Sequence, residues 1–219
     1  MRKSVHPDIA VEDSGPSLFL VEGGERVRKQ PLAPLGWRAL PQAHLTFEDA
    51  PARLVGQTGS ALRLLRPALA LERLNLAVLA VTSARLLFDE MLKDACMREI
   101  DGCALAEKQA PAHRLAVSAT QLRIVETFVD ALLTAFGEDG APAMPPDADI
   151  AIARNAATRL LEQISREAVQ FAGARGCVAP SLAERMFRDA RLLAIGGGSE
   201  EIMNEIIARD LRRNHAESN

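Results

Sequence analysis

The residue types best suited to chemistry lie near the C-terminus, in Ile195-Gly196-Gly197-Gly198-Ser199-Glu200-Glu201-Ile202. A charged helical run, Met186-Phe187-Arg188-Asp189-Ala190-Arg191, breaks at the glycines and restarts at Ser199. Such a break presents backbone N–H groups at a fresh helix N-terminus, where a phosphate or carbonyl oxygen can bind. Ser199 also reads as a plain N-cap after a glycine turn, and both readings can hold at once. Earlier in the chain, Glu72 and Arg73 open a long helical run. Read alone, Glu72 is a solvated helix-start carboxylate and Arg73 a helix-surface cation paired with a neighbouring acid. Arg98 reads as a cation at a helix C-terminus, favoured by the macrodipole.

Other chemistry-bearing residues are sparser. Glu184, Arg185, Asp189 and Arg191 read as a structural ion-pair network. His6, His44, His113 and His215 are scattered, with no metal partner at helix spacing, so no metal is expected. Cys96, Cys103 and Cys177 lack metal spacing and read as free thiols in a reducing compartment.

These residues need elements to hold them. Ser17 to Glu22, Val27 to Leu32 and Ala43 to Glu48 read as strands, with turn chemistry at Gly56 to Gly59. Three strands make a poor independent domain, so a larger sheet is expected. An unpaired apolar edge at Leu18 to Leu20 would mark a missing partner. Everything after Ser60 reads as helix. Leu74, Val78, Val81, Phe88, Met91 and Leu92 mark one face of a first helix running to about Arg98. Leu122, Val125, Val129, Leu132 and Phe136 mark a second, with Pro111 near its start. Gly137 to Pro146 reads as a loop. Ala153, Ala157, Leu160, Ile164 and Ala168 mark a third helix ending near Gly173. A short helix over Glu184 to Leu193 and a last one from Ser199 to about Arg213 follow. The expected fold is mainly α: a C-terminal four-helix bundle preceded by a partial β-domain of a few antiparallel strands. The expected division is 1–59 and 60–219.

Composition agrees with packed helices. Of 219 residues, 48% are hydrophobic and only 4% aromatic, and Tyr is absent. A net charge of -3, with acids and bases mixed along the chain, gives no reason to expect nucleic acid or an anionic membrane surface. Met1 to Ala10 shows no signal pattern, and the apolar run Leu74 to Val81 is too short to span a bilayer. The cytoplasm is the expected compartment.

Several segments, in order and at unbroken spacing, carry a family resemblance. They are Leu18-Phe19-Leu20-Val21-Glu22, Leu35-Gly36-Trp37-Arg38 and Leu45-Thr46-Phe47-Glu48-Asp49, then Ala70-Leu71-Glu72-Arg73-Leu74. Arg98-Glu99-Ile100-Asp101-Gly102 leads to Gln109 and His113-Arg114-Leu115-Ala116. Gln170-Phe171-Ala172-Gly173-Ala174-Arg175-Gly176 precedes the glycine break. Together they resemble the acyl-CoA dehydrogenases, flavoenzymes that desaturate acyl thioesters. The resemblance implies the closing part of the middle β-domain followed by the C-terminal helical bundle. It places the family's front helical domain and first strands outside this sequence, as in a truncated or split enzyme whose missing domains a separate chain could supply.

The resemblance also implies chemistry. The family removes an α-proton from an acyl-CoA while a β-hydride passes to flavin. A C–H acid that weak needs a carboxylate base in a dry pocket and donors at the thioester oxygen. In many members the base sits two residues before the Thr or Ser of the glycine break, which here is Gly197. A smaller group, acting on long or branched chains, carries the Glu within a Glu-Arg-Leu triplet on the first bundle helix. That position is Glu72, the implied base. Arg73 and Gly198 would place the substrate. Arg98, Gln109, Gln170, Gly173 and Glu201 match positions that contact the FAD diphosphate and adenosine, often across a dimer interface. Ala174 would let backbone approach the cofactor, and Ser199 would offer the helix N-terminus to flavin or thioester. A homodimer or homotetramer is implied. Asp101 stands where the family has Phe, and Ala174 where it has a second Gly. Those departures, with the absent front half, support an alternative: a non-catalytic helical oligomerisation or binding module derived from the family.

Overall fold

A computed structural model of the chain describes residues 5–12, 15–137 and 144–217. It divides into two compact units, Met1–Leu69 and Ala70–Asn219.

In the first unit, alternating residues build five short strands: β1 (Val5–Glu12), β2 (Gly15–Glu22), β3 (Val27–Pro31), β4 (Ala43–Phe47) and β5 (Ala52–Val55). One antiparallel sheet has the order β1-β2-β5, and β3 pairs with β4 as a separate ribbon. Register runs from Val5↔Glu22 to Glu12↔Gly15 on one side of β2, and from Leu18↔Val55 to Val21↔Ala52 on the other. β2 is therefore a central strand, and Leu18 to Leu20 are half-buried rather than an open edge. β1 and β5 escaped the sequence reading because Pro7, Asp8 and Arg53 interrupt their apolar pattern. Pairing with β2 imposes the extended form, and Pro7 is tolerated because β1 lies at the edge. The buried Ser17 hydroxyl accepts a hydrogen bond from the Gly59 N–H at 2.9 Å, so its burial is satisfied.

Helix α1 (Ala61–Met97) opens ahead of Ala70 and contains Pro67, which removes one internal hydrogen bond. Its buried residues are Ala61, Ala70, Leu74, Ala77, Ala80, Val81, Ala84, Leu87, Phe88, Met91 and Ala95. From Ala70 onward they recur every three or four residues, one broad apolar face of a helix. Leu92, expected on this face, is 37% exposed, and Val78 is half-buried. The large side chains alone misplace the face because much of it is alanine.

After α1 comes a hairpin, β6 (Glu99–Ile100) with β7 (Cys103–Ala104). Its two-residue turn is Asp101-Gly102, with φ of 51° and 80°. Positive φ at both positions is the Asp-Gly turn geometry that matches strand twist. Helix α2 (Gln109–Gly137) has Pro111 in its first turn and buries Leu115, Leu122, Val129 and Leu132. Helix α3 (Asp147–Ala172) is the centre of the unit and packs against α2, α4 (Leu182–Leu193) and α5 (Glu200–Glu217). That position explains why it is buried on several sides, through Ile150, Ala157, Leu161, Ile164 and Phe171. Ala70 and Leu74 of α1 meet Ile150 of α3 in one apolar cluster. Ser181 caps α4 by accepting from the Glu184 N–H at 3.1 Å.

Charged residues of α4 form ion pairs. Arg188 bonds Glu184 one turn away, and Arg191 reaches Glu162 of α3 at 2.8 Å. Most of the loop expected over Gly137 to Pro146 lies outside the described residues, as do the side chains of His6 and Phe136. Among the described residues no helix is long and apolar enough to cross a membrane.

Candidate functional site

The site begins at the glycine turn between α4 and α5. Gly197 has φ 68° and Gly198 φ 110°, conformations that side-chain-bearing residues rarely adopt. The turn folds back onto the first turns of α1 within the second unit. The Arg73 Nε–H donates to the Gly197 carbonyl at 3.0 Å, joining residues 124 apart in sequence. A Cβ placed on Gly197 would lie 2.8 Å from Leu76 Cδ1, 3.7 Å from the Glu72 carboxyl carbon and 3.8 Å from Arg73 Cγ. A Cβ on Gly198 would stand 3.8 Å from an Arg73 terminal nitrogen. Glu72, Arg73, Gly197 and Gly198 therefore converge. Glu72 itself is exposed. The described residues around Glu72 leave it open to solvent.

The start of α5 is acidic. The Ser199 carbonyl accepts the first helical bond, from Met203 N–H at 3.2 Å. The Ser199 hydroxyl bonds the Glu201 carboxylate. That bond, with Glu201's own backbone N–H, holds the carboxyl below its ordinary range. Arg159 does the same for Glu200 by a hydrogen bond. Both carboxylates complement the helix dipole. Glu201 hydrogen-bonds the Ser199 hydroxyl in this structure, and an anion docking on this N-terminus would meet two negative neighbours.

A second group forms at the far end of α1. An Arg98 Nη–H donates to the Phe171 carbonyl at 3.0 Å, and a Cβ on Gly173 would lie 3.9 Å from the same nitrogen. Arg98 and Gly173 thus meet at the end of α3. The Gly173 N–H bonds the carbonyls of Val169 and Gln170. Gln170, Ala174 and Arg98 are exposed there, and Gln109 is exposed at the first position of α2. The exposed Arg98 guanidinium, anchored through one N–H, keeps further donors for a phosphate-bearing ligand. Among the described residues, no set of three His, Cys, Asp or Glu side chains converges as a metal site.

One residue was not singled out from sequence. Arg154 lies on α3 between Ile150 and Thr158, on a buried face, and is fully buried. Its signal was a lone cation inside a stripe of small and apolar residues.

Comparison with known families bears on these geometries. The profile described as "Acyl-CoA dehydrogenase, C-terminal domain" matches residues 62–212. The chain belongs to the acyl-CoA dehydrogenase family. It is 34% identical over 206 residues to a mitochondrial long-chain specific acyl-CoA dehydrogenase of Sus scrofa, covering 90% of this chain and 46% of that protein. A probable acyl-CoA dehydrogenase of Mycobacterium abscessus ATCC 19977 / DSM 44196 superposes with a TM-score of 0.81 at 32% identity, over 90% of this chain and 53% of the other. The acyl-CoA dehydrogenase of Geobacillus kaustophilus gives 0.83 at 30% identity, over 90% and 52%. The chain spans about half the length of the acyl-CoA dehydrogenases it matches.

The departures from the acyl-CoA dehydrogenase pattern have local explanations. Asp101 sits in the hairpin turn, 85% exposed, with its carboxylate 3.5 Å from Lys108 Nζ. Turn geometry and a cation partner account for an acid there, so Asp101 gives the non-catalytic alternative no support of its own.

Proposed function

We propose that this chain is the C-terminal half of an acyl-CoA dehydrogenase-type flavin oxidoreductase, with Glu72 as the α-proton base. One observation carries the reading. The two family positions for the base, far apart in sequence, meet in space: the Cβ missing at Gly197 would lie 3.7 Å from the Glu72 carboxyl carbon. A carboxylate from either position serves the same spot, and here α1 supplies it. A Cβ on Gly197 would stand in ordinary contact with Glu72 and would press only on Leu76.

Within this proposal Glu72 Oε takes the α-proton of a bound acyl thioester. Arg73, steadied by the Gly197 carbonyl, places the thioester and adds positive potential beside the developing enolate oxygen. The Gly198 backbone lies in the same turn and helps orient the carbonyl. Because Glu72 is exposed in this chain, a bound thioester and neighbouring protein must exclude water from it. Arg98, Gln109, Gln170 and Gly173, with Ala174 beside them, would hold the diphosphate and adenosine of FAD. Ser199 and Glu201 have a weaker claim, since they bond each other. FAD, when bound, supplies the acceptor for the β-hydride. Long acyl chains are the preferred substrate class, by analogy with the Sus scrofa relative and the location of the base. Three free cysteines suit a reducing compartment such as the cytoplasm.

The decisive experiment is Glu72→Gln in the chain supplied with FAD and any partner carrying the front domains. Turnover of a long-chain acyl-CoA should disappear while flavin stays bound. Retained turnover would remove Glu72 from the mechanism.

A further inference from the structure

The side chain most heavily committed to the glycine turn is one that the proposed chemistry does not use. Arg154 of α3 is fully buried. One of its Nη atoms donates to the carbonyls of Leu193, Ala194 and Gly196 at 3.2, 2.9 and 2.7 Å. The other donates to Asn155 Oδ1 at 3.3 Å. Asn155 in turn donates to Asn204 Oδ1 of α5 at 3.1 Å. The three carbonyls are those left open where α4 ends, and they carry the negative end of its dipole. A planar guanidinium suits such a cluster, and a point-like ammonium does not span it as well.

This arrangement is costly. The four acceptors named are neutral oxygens, and the buried Nε has no partner among the described residues. Burial lowers its pKa, Arg73 nearby lowers it further, and Glu200 only partly opposes this. Two cations thus grip adjacent carbonyls of one turn: Arg154 holds Gly196 and Arg73 holds Gly197. A buried cation without a carboxylate partner is a poor device for stability alone.

The geometry points to Arg154 as a positioning residue: by pinning the Leu193–Gly196 turn it sets the Gly197 carbonyl on Arg73 and the turn against Glu72. The inference rests on the thioester-site reading for the purpose of the turn, while the mechanical claim stands on the hydrogen bonds alone.

Arg73 is its own reporter. The full-length chain, without ligand, is treated with phenylglyoxal and modification is followed at each arginine by peptide mass. In Arg154→Met, Arg73 should react on the order of tenfold faster, as expected for loss of a charge-assisted bond. Arg85 and Arg114, paired elsewhere, should be unchanged. Arg154→Lys keeps the charge but grips fewer carbonyls, and should lie between. An unchanged Arg73 rate in folded Arg154→Met overturns the inference, and so does an equal rise at every arginine, which marks general loosening. If the Met variant does not fold, the Lys variant decides: selective acceleration at Arg73 supports the role and a wild-type rate overturns it. Adding palmitoyl-CoA, a long-chain thioester, to the wild-type chain tests the underlying reading separately. Failure to protect Arg73 would count against a thioester site while leaving the Arg154 result intact.

Discussion

At the residue scale, the site turns on an exchange between Glu72 and Gly197. Placing the carboxylate on α1 leaves Gly197 free to take φ 68°, and Leu76 then fills the space that a side chain there would need. Gly197→Ala should cost about 1–2 kcal/mol in denaturant unfolding, because a left-handed residue with a Cβ is strained. Adding Leu76→Ala should relieve only the contact with Leu76 Cδ1, not the backbone strain. Full recovery in that double variant would show that the backbone conformation is not the constraint. The same argument predicts that moving the base, as Glu72→Gly with Gly197→Glu, fails to restore turnover while Leu76 is in place.

At the element scale, helix α5 and the β6–β7 hairpin decide what the site can present. Both acids in the first turn of α5 are held below the ordinary carboxylate range, Glu200 by Arg159 and Glu201 by Ser199. Groups depressed in the folded state stabilise it above their unfolded values, near pH 4–5, and that contribution fades as pH falls through the lowered values. Amide protection at the start of α5 should therefore drop on acidification sooner than protection in the middle of α3. Glu201→Gln should remove part of that dependence, and an unaltered acid profile would mean that the Ser199 bond has no energetic weight. In the hairpin, Asp101→Phe, the residue typical of the family, should destabilise the turn by about 1 kcal/mol, because φ 51° suits Asp better than a bulky side chain. Asp101→Asn should be nearly neutral. Thermal unfolding of the two variants separates these outcomes.

At the scale of the whole molecule, α1 separates two groups of residues. Glu72 and Arg73 lie about a third of the way along it and Arg98 just past its end, about 37 Å from Arg73 by the rise per residue. No single dinucleotide cofactor reaches from one to the other. If Ser199, beside the turn that Arg73 holds, and Arg98 both serve FAD, each cofactor must draw on two copies of the chain, as in the dimer that the resemblance implies. A visible absorption spectrum after adding FAD, taken across a range of chain concentrations, checks this. Flavin binding should rise together with the dimer fraction in sedimentation. Flavin bound by a monomer would show that only one of the two groups is used.

Local signals survive in sequence, and so the bundle was legible there. Helical periodicity and the Ser199 restart depend on neighbours within one or two turns, and so would the Ser181 cap and the Asp-Gly turn, which the sequence reading passed over. The complementarity of Glu72 and Gly197 was also legible, as an acid present in one segment and missing from another. What the chain order could not reveal was that these positions touch. That required Ala70 and Leu74 of α1 to meet Ile150 of α3 in one apolar cluster. It also required the α4–α5 turn to be pulled onto α1 by Arg73 and pinned from beneath by Arg154. β1 and β5 were hidden for the same reason, since strand pairing with β2 overrode their interrupted patterns. Sequence determined which elements form and which residue types they carry. Tertiary packing alone decided which side chains meet, because that depends on contacts between segments more than a hundred residues apart, as between Arg73 and Gly197.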